Sequence, residues 1–321
     1  MRYRPLGKTG LSVSEIGLGT WPIGGPFESG GQEWGYAPTT ERESIKIIER
    51  AVELGINLID TADVYGLGRS ETIIGKALGK RRKGITLATK VGYLPEPLKS
   101  TYPAISKKDY IVKCLEGSLR RLKAEAVDLY QLHNPSIENL KADFFETARE
   151  LKKEGKILHI GVSPSTIEEA KFCLEVPDCE TLQISYSLAE ANLLEELGSD
   201  VEAKGVGVLV KNPLRNGMLT GKYSANTPLP EIDWRSRAFP APTRSKFARF
   251  ADEARKLLRA DQTLAQLALA WVLANPAVSA AIPGARSTLQ VEANAHVAET
   301  EVLSAEIVEE LSAVFDTIFR E

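Results

Sequence analysis

The sequence predicts an α/β fold, specifically a (β/α)8 TIM barrel with an N-terminal β-hairpin and long loops on its C-terminal face. Eight short apolar, β-branched runs recur along the chain, and segments of helical periodicity lie between them. A chain of 321 residues has the length of one such barrel, so we expect a single domain over residues 1–321. An open doubly wound sheet is the alternative, but no Gly-x-Gly-x-x-Gly turn follows the first run.

The N-terminal segment and the eight runs give the predicted strands. Two short runs flank the turn Gly-Lys-Thr-Gly in YRPLGKTGLSV (3–13), which predicts a small hairpin that closes one end of the barrel. The eight barrel strands are predicted at residues 14–19, 55–60, 84–90, 127–133, 157–163, 181–185, 205–211 and 278–284.

Helical periodicity between the strands is clearest in two segments. One apolar stripe runs through each: Ile45, Ile48, Ala51, Val52 and Leu54 in 41–54, and Ile111, Leu115, Leu119 and Leu122 in 109–122. Glycines that suit helix C-terminal turns follow the predicted helices at Gly55, Gly84, Gly155 and Gly205. Three long polar or Pro/Gly-rich stretches, 24–40, 93–106 and 222–246, each follow a strand and therefore belong to the C-terminal face, where barrels of this class carry their sites.

Composition and charge narrow the classes of function. A net charge of −3 and a pI of about 5.9 give no electrostatic case for nucleic acid or an anionic membrane surface. No apolar stretch reaches the length of a membrane span. The three cysteines are odd in number and lack metal-like spacing, so we expect reduced thiols and a cytoplasmic protein. His133, His159 and His296 lie far apart, and no metal site is indicated; the oligomeric state is not determined by the sequence.

Polar side chains of four ionisable types stand at neighbouring strand ends. The second strand ends in Asp60, the third in Lys90 and the fourth in His133, while Tyr65 lies in the loop after Asp60. The carboxyl ends of parallel strands meet on one face of a barrel, so we expect these side chains to converge. Solvated strand ends would explain any one of them, but a lysine within an apolar run beside an aspartate calls for a specific role.

This set of side chains suits proton donation to a carbonyl oxygen. A free tyrosine has a pKa of about 10, and a nearby ammonium such as that of Lys90 is expected to lower it. Asp60 would keep Lys90 charged and oriented, and His133 can hydrogen-bond the carbonyl oxygen. The chain shows no activated serine or cysteine, so hydride from a nicotinamide cofactor is the expected attacking group.

At this point the sequence resembles the aldo-keto reductases over essentially its whole length. Eight ordered blocks carry the resemblance: GLGTW (17–21), GINLIDTADVYGLGRSE (55–71), ATK (88–90), LH (132–133), GVS (161–163), LQISYS (182–187), PLRNGMLTGKY (213–223) and IPGARS (282–287). The resemblance implies a (β/α)8 barrel that uses NADP(H). It also implies catalytic roles for four residues: Tyr65 as proton donor, Lys90 and Asp60 tuning it, and His133 orienting the carbonyl.

The same matching implies the cofactor contacts. They are Gly19, Thr20, Trp21, Asp60, Ser163, Gln183, Tyr186, Lys211, Pro213, Leu214, Asn216, Gly217, Gly284, Arg286, Gln290 and Asn294. Gly284–Thr288 follows the last strand and opens a helix, which is a suitable anion site. Arg286 there is expected to bind a 2′-phosphate through charge-assisted hydrogen bonds.

The chain departs from the family pattern at four positions in or next to these contacts. Pro164 stands where an asparagine is frequent, and Lys211 stands where an aromatic ring commonly stacks on the nicotinamide; Tyr186 is the expected substitute for that ring. Gln290 and Ala293 replace an arginine and a glutamate of many relatives. We therefore favour NADP(H) as the cofactor, with Arg286 carrying the preference, and keep NAD(H) open.

The long loops are expected to shape a pocket for a small carbonyl or sugar substrate. Its expected wall residues are Trp21, Trp34, Tyr65, Tyr93 and His133, with Tyr36 beside them. The stretch 222–246, with Trp234, Arg235 and Arg237, is expected to fold over bound cofactor as a lid.

Three functions stay open at this stage. The first is reduction of an aldehyde or ketone, or the reverse oxidation of an alcohol or sugar. The second is a regulatory module that senses cofactor occupancy, and the third is an unrelated phosphate-binding barrel enzyme.

Overall fold

Eight parallel strands and the helices around them form the body of the protein. The computed structural model describes residues 1–95, 98–99, 103–231 and 233–319, so parts of the stretches 93–106 and 222–246 lie outside the described residues. The barrel strands are β1 (Leu18–Gly19), β2 (Leu58–Asp60), β3 (Thr86–Val91), β4 (Val127–His133), β5 (Ile157–Ser163), β6 (Thr181–Ser185), β7 (Gly207–Lys211) and β8 (Ala280–Ala281).

The strands follow one another around the sheet in sequence order, and the sheet closes on itself. Each neighbouring pair from β1 to β8 is parallel. Single parallel bridges join Ile16 to Ala281 and Gly19 to Gly284, which brings β1 beside β8. The N–H of Gly17 donates to the Ala281 carbonyl at 2.8 Å across this seam. The predicted (β/α)8 barrel is confirmed.

The helices that connect the strands bury their apolar stripes against the barrel. They are α1 (Glu41–Glu53), α2 (Arg69–Leu78), α3 (Lys108–Leu122), α4 (Phe144–Lys153), α5 (Ile167–Leu174), α6 (Asn192–Lys204), α7 (Leu264–Ala274) and α8 (Thr288–His296). Capping boxes begin three of them, formed by Thr40 with Glu43, Thr166 with Glu169 and Thr263 with Gln266. Further helices are Trp21–Gly24, Ile137–Leu140, Arg235–Ala238, Ala241–Ala254 and Ala305–Phe319, and 3-10 turns are Gly79–Arg82, Pro103–Ser106, Arg215–Thr220, Arg255–Leu257 and Val297–Glu299.

The predicted N-terminal hairpin is present and plugs the N-terminal end of the barrel. Its strands Tyr3–Pro5 and Ser12–Ser14 are antiparallel. Leu6 and Val13 are fully buried and belong to a small apolar cluster inside the barrel with Leu58, Leu129 and Leu209. Burial of the hairpin therefore leaves the opposite, C-terminal end as the open face.

The described parts of the three long stretches contain short strands and helices, which loops of their composition would not suggest. Strands Phe27–Ser29 and Gln32–Trp34 pair in the first, and Leu94–Pro95 pairs with Leu98–Lys99 in the second. In the third, helix Arg235–Ala238 lies within the stretch and helix Ala241–Ala254 begins before its end. Short hairpins and single helical turns satisfy backbone groups locally, and neither leaves a strong periodic pattern in the sequence.

The plug depends on close approach of its turn to the start of β7. Gly7 has φ +52°, and a Cβ atom there would lie 2.3 Å from the Gly207 backbone nitrogen, whereas Gly10, with φ +80°, has open space around it. We expect Gly10→Ala to cost about 1 kcal/mol of unfolding free energy from backbone strain. Gly7→Ala should lower the free energy of unfolding by roughly 1–3 kcal/mol more, because the backbone of Gly207 must move to make room for the added Cβ. Urea unfolding of both variants measures this, and equal losses would contradict the close approach.

Candidate active site

A buried ion pair stands at the C-terminal rim of the barrel. Asp60 is the last residue of β2, and Lys90 is in β3. The Lys90 Nζ donates to Asp60 Oδ2 at 2.6 Å and to the Thr61 carbonyl at 2.9 Å. Lys90 is fully buried and Asp60 is 2% exposed. Burial lowers the pKa of Lys90 from its ordinary value, and the Asp60 carboxylate opposes that shift.

Two buried glutamines donate further hydrogen bonds to the Asp60 carboxylate. Gln183 of β6 donates its Nε2 to Asp60 Oδ1 at 2.7 Å, and Gln131 of β4 donates to the same oxygen at 3.3 Å. Gln131 was not predicted as a site residue. It lies two residues before His133 in the same strand, and this spacing indicates that both side chains are on the barrel's inner face.

Tyr65 is held beside this pair by the turn that leads from β2 into α2. Gly66 and Gly68 adopt φ +59° and +93°, and a Cβ on Gly66 would lie 2.2 Å from the Gly24 carbonyl oxygen, so the turn packs tightly on the loop after β1. The Lys90 Nζ lies 5.3 Å from the centre of the Tyr65 ring.

The pKa of Tyr65 does not move in the expected direction. Burial, followed by the charge of Asp60, raises the pKa of Tyr65 well above its ordinary value, whereas the sequence analysis expected the Lys90 ammonium to lower it. Asp60 neutralises the lysine at 2.6 Å, so the phenol meets an ion pair and not an isolated cation. Tyr65 is therefore a neutral phenol at neutral pH.

His133 ends β4 on the other side of Tyr65. Its ring centre lies 5.9 Å from that of Tyr65 and 4.9 Å from that of Tyr93, in edge-on arrangements. Burial, with the charges of Lys90 and Lys211, lowers the pKa of His133 well below its ordinary value. The imidazole is therefore neutral, and its buried Nδ1 has no hydrogen-bond partner among the described residues.

A cleft of about 590 Å³ begins beside Asp60 and Tyr65 and runs across the C-terminal face of the barrel. One end is bordered by Gly19, Thr20, Trp21, Asp60, Tyr65, Gln183 and Lys211. The middle is bordered by Pro213, Leu214, Asn216 and Gly217, and the far end by Arg286, Ser287, Gln290 and Asn294, while Gly284 lies beside Gly19. Most of the predicted cofactor contacts thus line one continuous cleft, of a size typical for ligand sites.

The far end of the cleft has the donors that an anionic group needs. Ser287 caps α8, and its Oγ accepts from the N–H of Gln290 at 3.2 Å. Arg286 stands immediately before this helix; its Nη2 donates to the Ala37 carbonyl at 3.1 Å, and its buried Nε has no partner among the described residues. A guanidinium with an unused buried donor at a helix N-terminus fits a phosphate group.

The backbone in the middle of the cleft is shaped for close approach of a ligand. Arg215, Asn216 and Gly217 adopt φ +46°, +55° and +93°, and the N–H groups of Arg215 and Gly217 donate to the Asn212 and Leu214 carbonyls at 2.8 and 2.9 Å, so this segment forms a tight turn that borders the cleft. The lining of the cleft therefore fits a dinucleotide: polar groups and Tyr65 at one end, a close-packed backbone turn in the middle and a cationic helix start at the other.

The sequence profile of the Aldo/keto reductase family matches residues 15–316. The chain belongs to this family. Its members are oxidoreductases that reduce carbonyl compounds with a nicotinamide cofactor. The family assignment removes the alternative of an unrelated phosphate-binding barrel.

Individual relatives agree with this assignment. The NADH-specific methylglyoxal reductase of Escherichia coli (strain K12) is 30% identical, with 92% of each chain covered. The solved structure of the glycerol dehydrogenase AKR11B4 from Gluconobacter oxydans matches with a TM-score of 0.84 and 29% identity, covering 99% of this chain and 96% of that one. An aldo-keto reductase from Klebsiella pneumoniae in complex with NADPH matches with a TM-score of 0.74 and 27% identity, covering 98% and 95%.

In this aldo/keto reductase Lys211 replaces the aromatic ring that the family commonly has. Lys211 is the last residue of β7 and half-buried in the cleft. Its Nζ donates to Asn134 Oδ1 at 2.7 Å and to Ser163 Oγ at 2.8 Å. Burial, followed by the Lys90 charge, lowers the pKa of Lys211 to about 8.

Five of the predicted cofactor and substrate-pocket residues do not line this cleft: Ser163, Tyr186, Trp34, Tyr93 and His133. Tyr186, expected to take the place of the stacking aromatic, is buried on the outer side of the sheet: its ring stacks on Trp271 of α7 at 5.0 Å, and its hydroxyl accepts from Asn275 at 3.2 Å. Trp34, expected in the substrate pocket wall, lies in the hairpin opposite Phe27. Tyr36 does line the cleft, and its hydroxyl donates to Asn216 Oδ1 at 3.0 Å.

The stretch 222–246 packs against the loop after β1. The Trp234 ring stacks on Trp21 at 5.1 Å, and the backbone N–H of Trp234 donates to the Gly35 carbonyl at 3.4 Å. Arg235 forms an ion pair with Asp233 at 2.7 Å and donates to the Tyr223 hydroxyl at 2.8 Å. These contacts form a clasp over one side of the cleft.

Among the described residues, no group of three or more His, Cys, Asp or Glu side chains is placed to hold a metal ion. Within the same part of the chain, no helix has both the length and the apolar character that a membrane crossing requires.

Proposed function

We propose that this protein reduces an aldehyde or ketone to an alcohol with NADPH, or carries out the reverse oxidation of an alcohol or sugar, with Tyr65 as the proton donor. One observation carries the proposal. A neutral phenol, a neutral imidazole and a buried Lys90–Asp60 pair meet at one end of a cleft whose other end has an unused Arg286 donor. The bound cofactor would supply hydride to the carbonyl carbon.

In this proposal Tyr65 and His133 act on the carbonyl oxygen. The raised pKa keeps the proton on Tyr65 until charge develops on that oxygen, and the phenol then donates it. The Lys90 ammonium, 5.3 Å from the ring, stabilises the resulting phenolate. Neutral His133 offers an imidazole N–H that orients the substrate without adding charge.

The cofactor-binding residues would be those of the cleft. Gln183 would border the nicotinamide, with Ser163 next to it through its contact with Lys211; residues 213–217 would border the pyrophosphate, and Arg286 the 2′-phosphate of NADPH. The Klebsiella relative in complex with NADPH supports this choice. The NADH-specific relative of E. coli marks NADH as the alternative, and the loss of an arginine at Gln290 is the feature that favours it.

The substrate would be small and would lie among aromatic side chains. Trp21 and Tyr65 have ring centres 6.1 Å apart, and Tyr93 packs on His133 at 4.9 Å. Such walls accept an apolar aldehyde or the apolar face of a polyol. The named substrates of two relatives, glycerol and methylglyoxal, are of that size.

Replacement of Tyr65 by Phe tests the proton donor. We expect turnover with a reactive aromatic aldehyde to fall by about two to four orders of magnitude, because general acid catalysis is lost. NADPH binding, followed by quenching of protein fluorescence, should be retained. Tyr3→Phe is a matched control, since its hydroxyl donates to the Gly55 carbonyl at the N-terminal end of the barrel, away from the cleft. A Tyr65→Phe enzyme with near wild-type turnover would remove Tyr65 from this role.

Replacement of Arg286 by Met tests the cofactor preference. We expect KM for NADPH to rise about 10- to 100-fold, because a charge-assisted phosphate contact is lost, with KM for NADH little changed. Arg259→Met, at an exposed arginine, serves as the control. If the wild-type enzyme uses NADH as well as NADPH, the assignment of Arg286 to a 2′-phosphate fails while the chemistry stands.

We further propose that the stretch 222–246 is a lid over the bound cofactor. Its contacts with the loop after β1, Trp234 on Trp21 and Arg235 over Tyr36, would open to admit a dinucleotide and close again. We expect NADPH to slow tryptic cleavage after Arg237 and Arg244 several-fold, with cleavage in other loops as the internal reference. Equal cleavage rates with and without NADPH would count against a lid.

A further inference from the structure

Lys211 places a second positive charge at the reactive end of the cleft. Two lysines, Lys90 and Lys211, face this end from β3 and β7. Asp60 neutralises Lys90 at 2.6 Å. Lys211 is held by two neutral oxygens, Asn134 Oδ1 and Ser163 Oγ, and among the described residues no carboxylate forms an ion pair with it. Lys211 therefore contributes a positive charge to this end that is not cancelled by a direct partner.

The redox ring of the cofactor must lie beside Lys211 if the proposed function is correct. Hydride and proton have to reach the carbon and oxygen of one carbonyl, so the ring belongs at the end of the cleft that Tyr65 borders. Asp60, Gln183 and Lys211 border the same end. The other end is taken up by the phosphate-bearing part, beside Arg286.

The two redox states of the cofactor differ by one charge at this position. The oxidised nicotinamide ring is a cation, and the reduced ring is neutral. A charged lysine within a few ångströms repels only the oxidised form, and an aromatic ring at this position would not. We propose that Lys211 makes the site discriminate against oxidised cofactor, which favours binding of reduced cofactor and release of the oxidised product. This inference rests on the proposed use of a nicotinamide cofactor in the cleft.

The charges around Lys211 determine how this discrimination depends on pH. Lys90 repels Lys211, whereas Asp60, Glu190 and Glu169 attract it from more than one element. Glu190 is already paired with Arg215, and Glu169 accepts the backbone N–H groups that precede α5.

The lowered pKa of Lys211, about 8, adds a pH dependence. The ammonium form is present below that value and is lost above it, so discrimination should be greatest near neutral pH and weaken in alkaline solution. Tyr65 and His133 stay neutral across this range, because the pKa of Tyr65 is raised and that of His133 is lowered.

Equilibrium binding tests the inference without turnover. The dissociation constants of NADPH and NADP⁺ would be measured by fluorescence quenching and displacement for wild type, Lys211→Met and Lys211→Arg, at about pH 6.5 and about pH 9.5. At the lower pH we expect the ratio Kd(NADP⁺)/Kd(NADPH) to fall about tenfold in Lys211→Met. Lys211→Arg, which keeps the charge, should keep the ratio at both pH values. The wild-type ratio should fall at the higher pH.

A proton count provides an independent readout. By linkage, binding of NADP⁺ to the wild-type protein near pH 8 should lower the pKa of Lys211 further and release a fraction of a proton into a weakly buffered indicator solution. NADPH should release less, and Lys211→Met should abolish the difference between the two cofactors.

The outcomes separate this inference from the proposed function. If neither cofactor binds to any of the three proteins, the proposed function fails. If both bind and the ratio is the same in wild type and Lys211→Met, the proposed function stands and the role of Lys211 is wrong. Equal weakening of both cofactors in Lys211→Met would show that the lysine only supports Ser163 and Asn134, and that result also overturns the inference.

Discussion

The buried ion pair between Asp60 and Lys90 is the constraint on which the rest of the site depends. Two charges taken out of water are costly unless their remaining hydrogen-bonding capacity is met. Here the Thr61 carbonyl accepts from the lysine, and the amides of Gln131 and Gln183 donate to the carboxylate. Four strands, β2, β3, β4 and β6, must therefore end in a fixed relation around one carboxylate. The closed barrel provides that relation.

The pair in turn determines the charge states of its neighbours. Because Asp60 neutralises Lys90, the phenol beside them gains no net cation, and burial dominates: the pKa of Tyr65 is raised and that of His133 is lowered. Both groups are therefore uncharged at neutral pH. A protonated phenol and a neutral imidazole are the forms that donation to a carbonyl oxygen requires. In the proposed reaction the ammonium would stabilise the phenolate that remains after proton transfer, and not the resting phenol.

The cleft is built by segments that follow different strands, and its two ends are chemically distinct. The end near Tyr65 combines buried charge with aromatic rings, and the end near Arg286 combines a helix N-terminus with a guanidinium. Trp234 on Trp21 and the Arg235 guanidinium over the Tyr36 ring at 4.8 Å join the stretch 222–246 to the loop after β1 over the cleft. The same scaffold can thus hold a long ligand, cover it and present its reactive end to a small pocket.

The sequence by itself determined the strands, their order, the hairpin and the meeting of Asp60, Tyr65, Lys90 and His133, because local periodicity and the position of a residue at a strand end are properties of contiguous chain. The alternation of side chains along a strand also predicts two further placements. Gln131 shares the inner face with His133, two residues away. Tyr186 lies three residues after inward-facing Gln183, so it points outward onto Trp271. Only the tertiary structure decided the bonds of Lys211 to Asn134 and Ser163, the clasp over the cleft and the pKa directions. These depend on distances and burial among residues far apart in the chain, which no local pattern encodes.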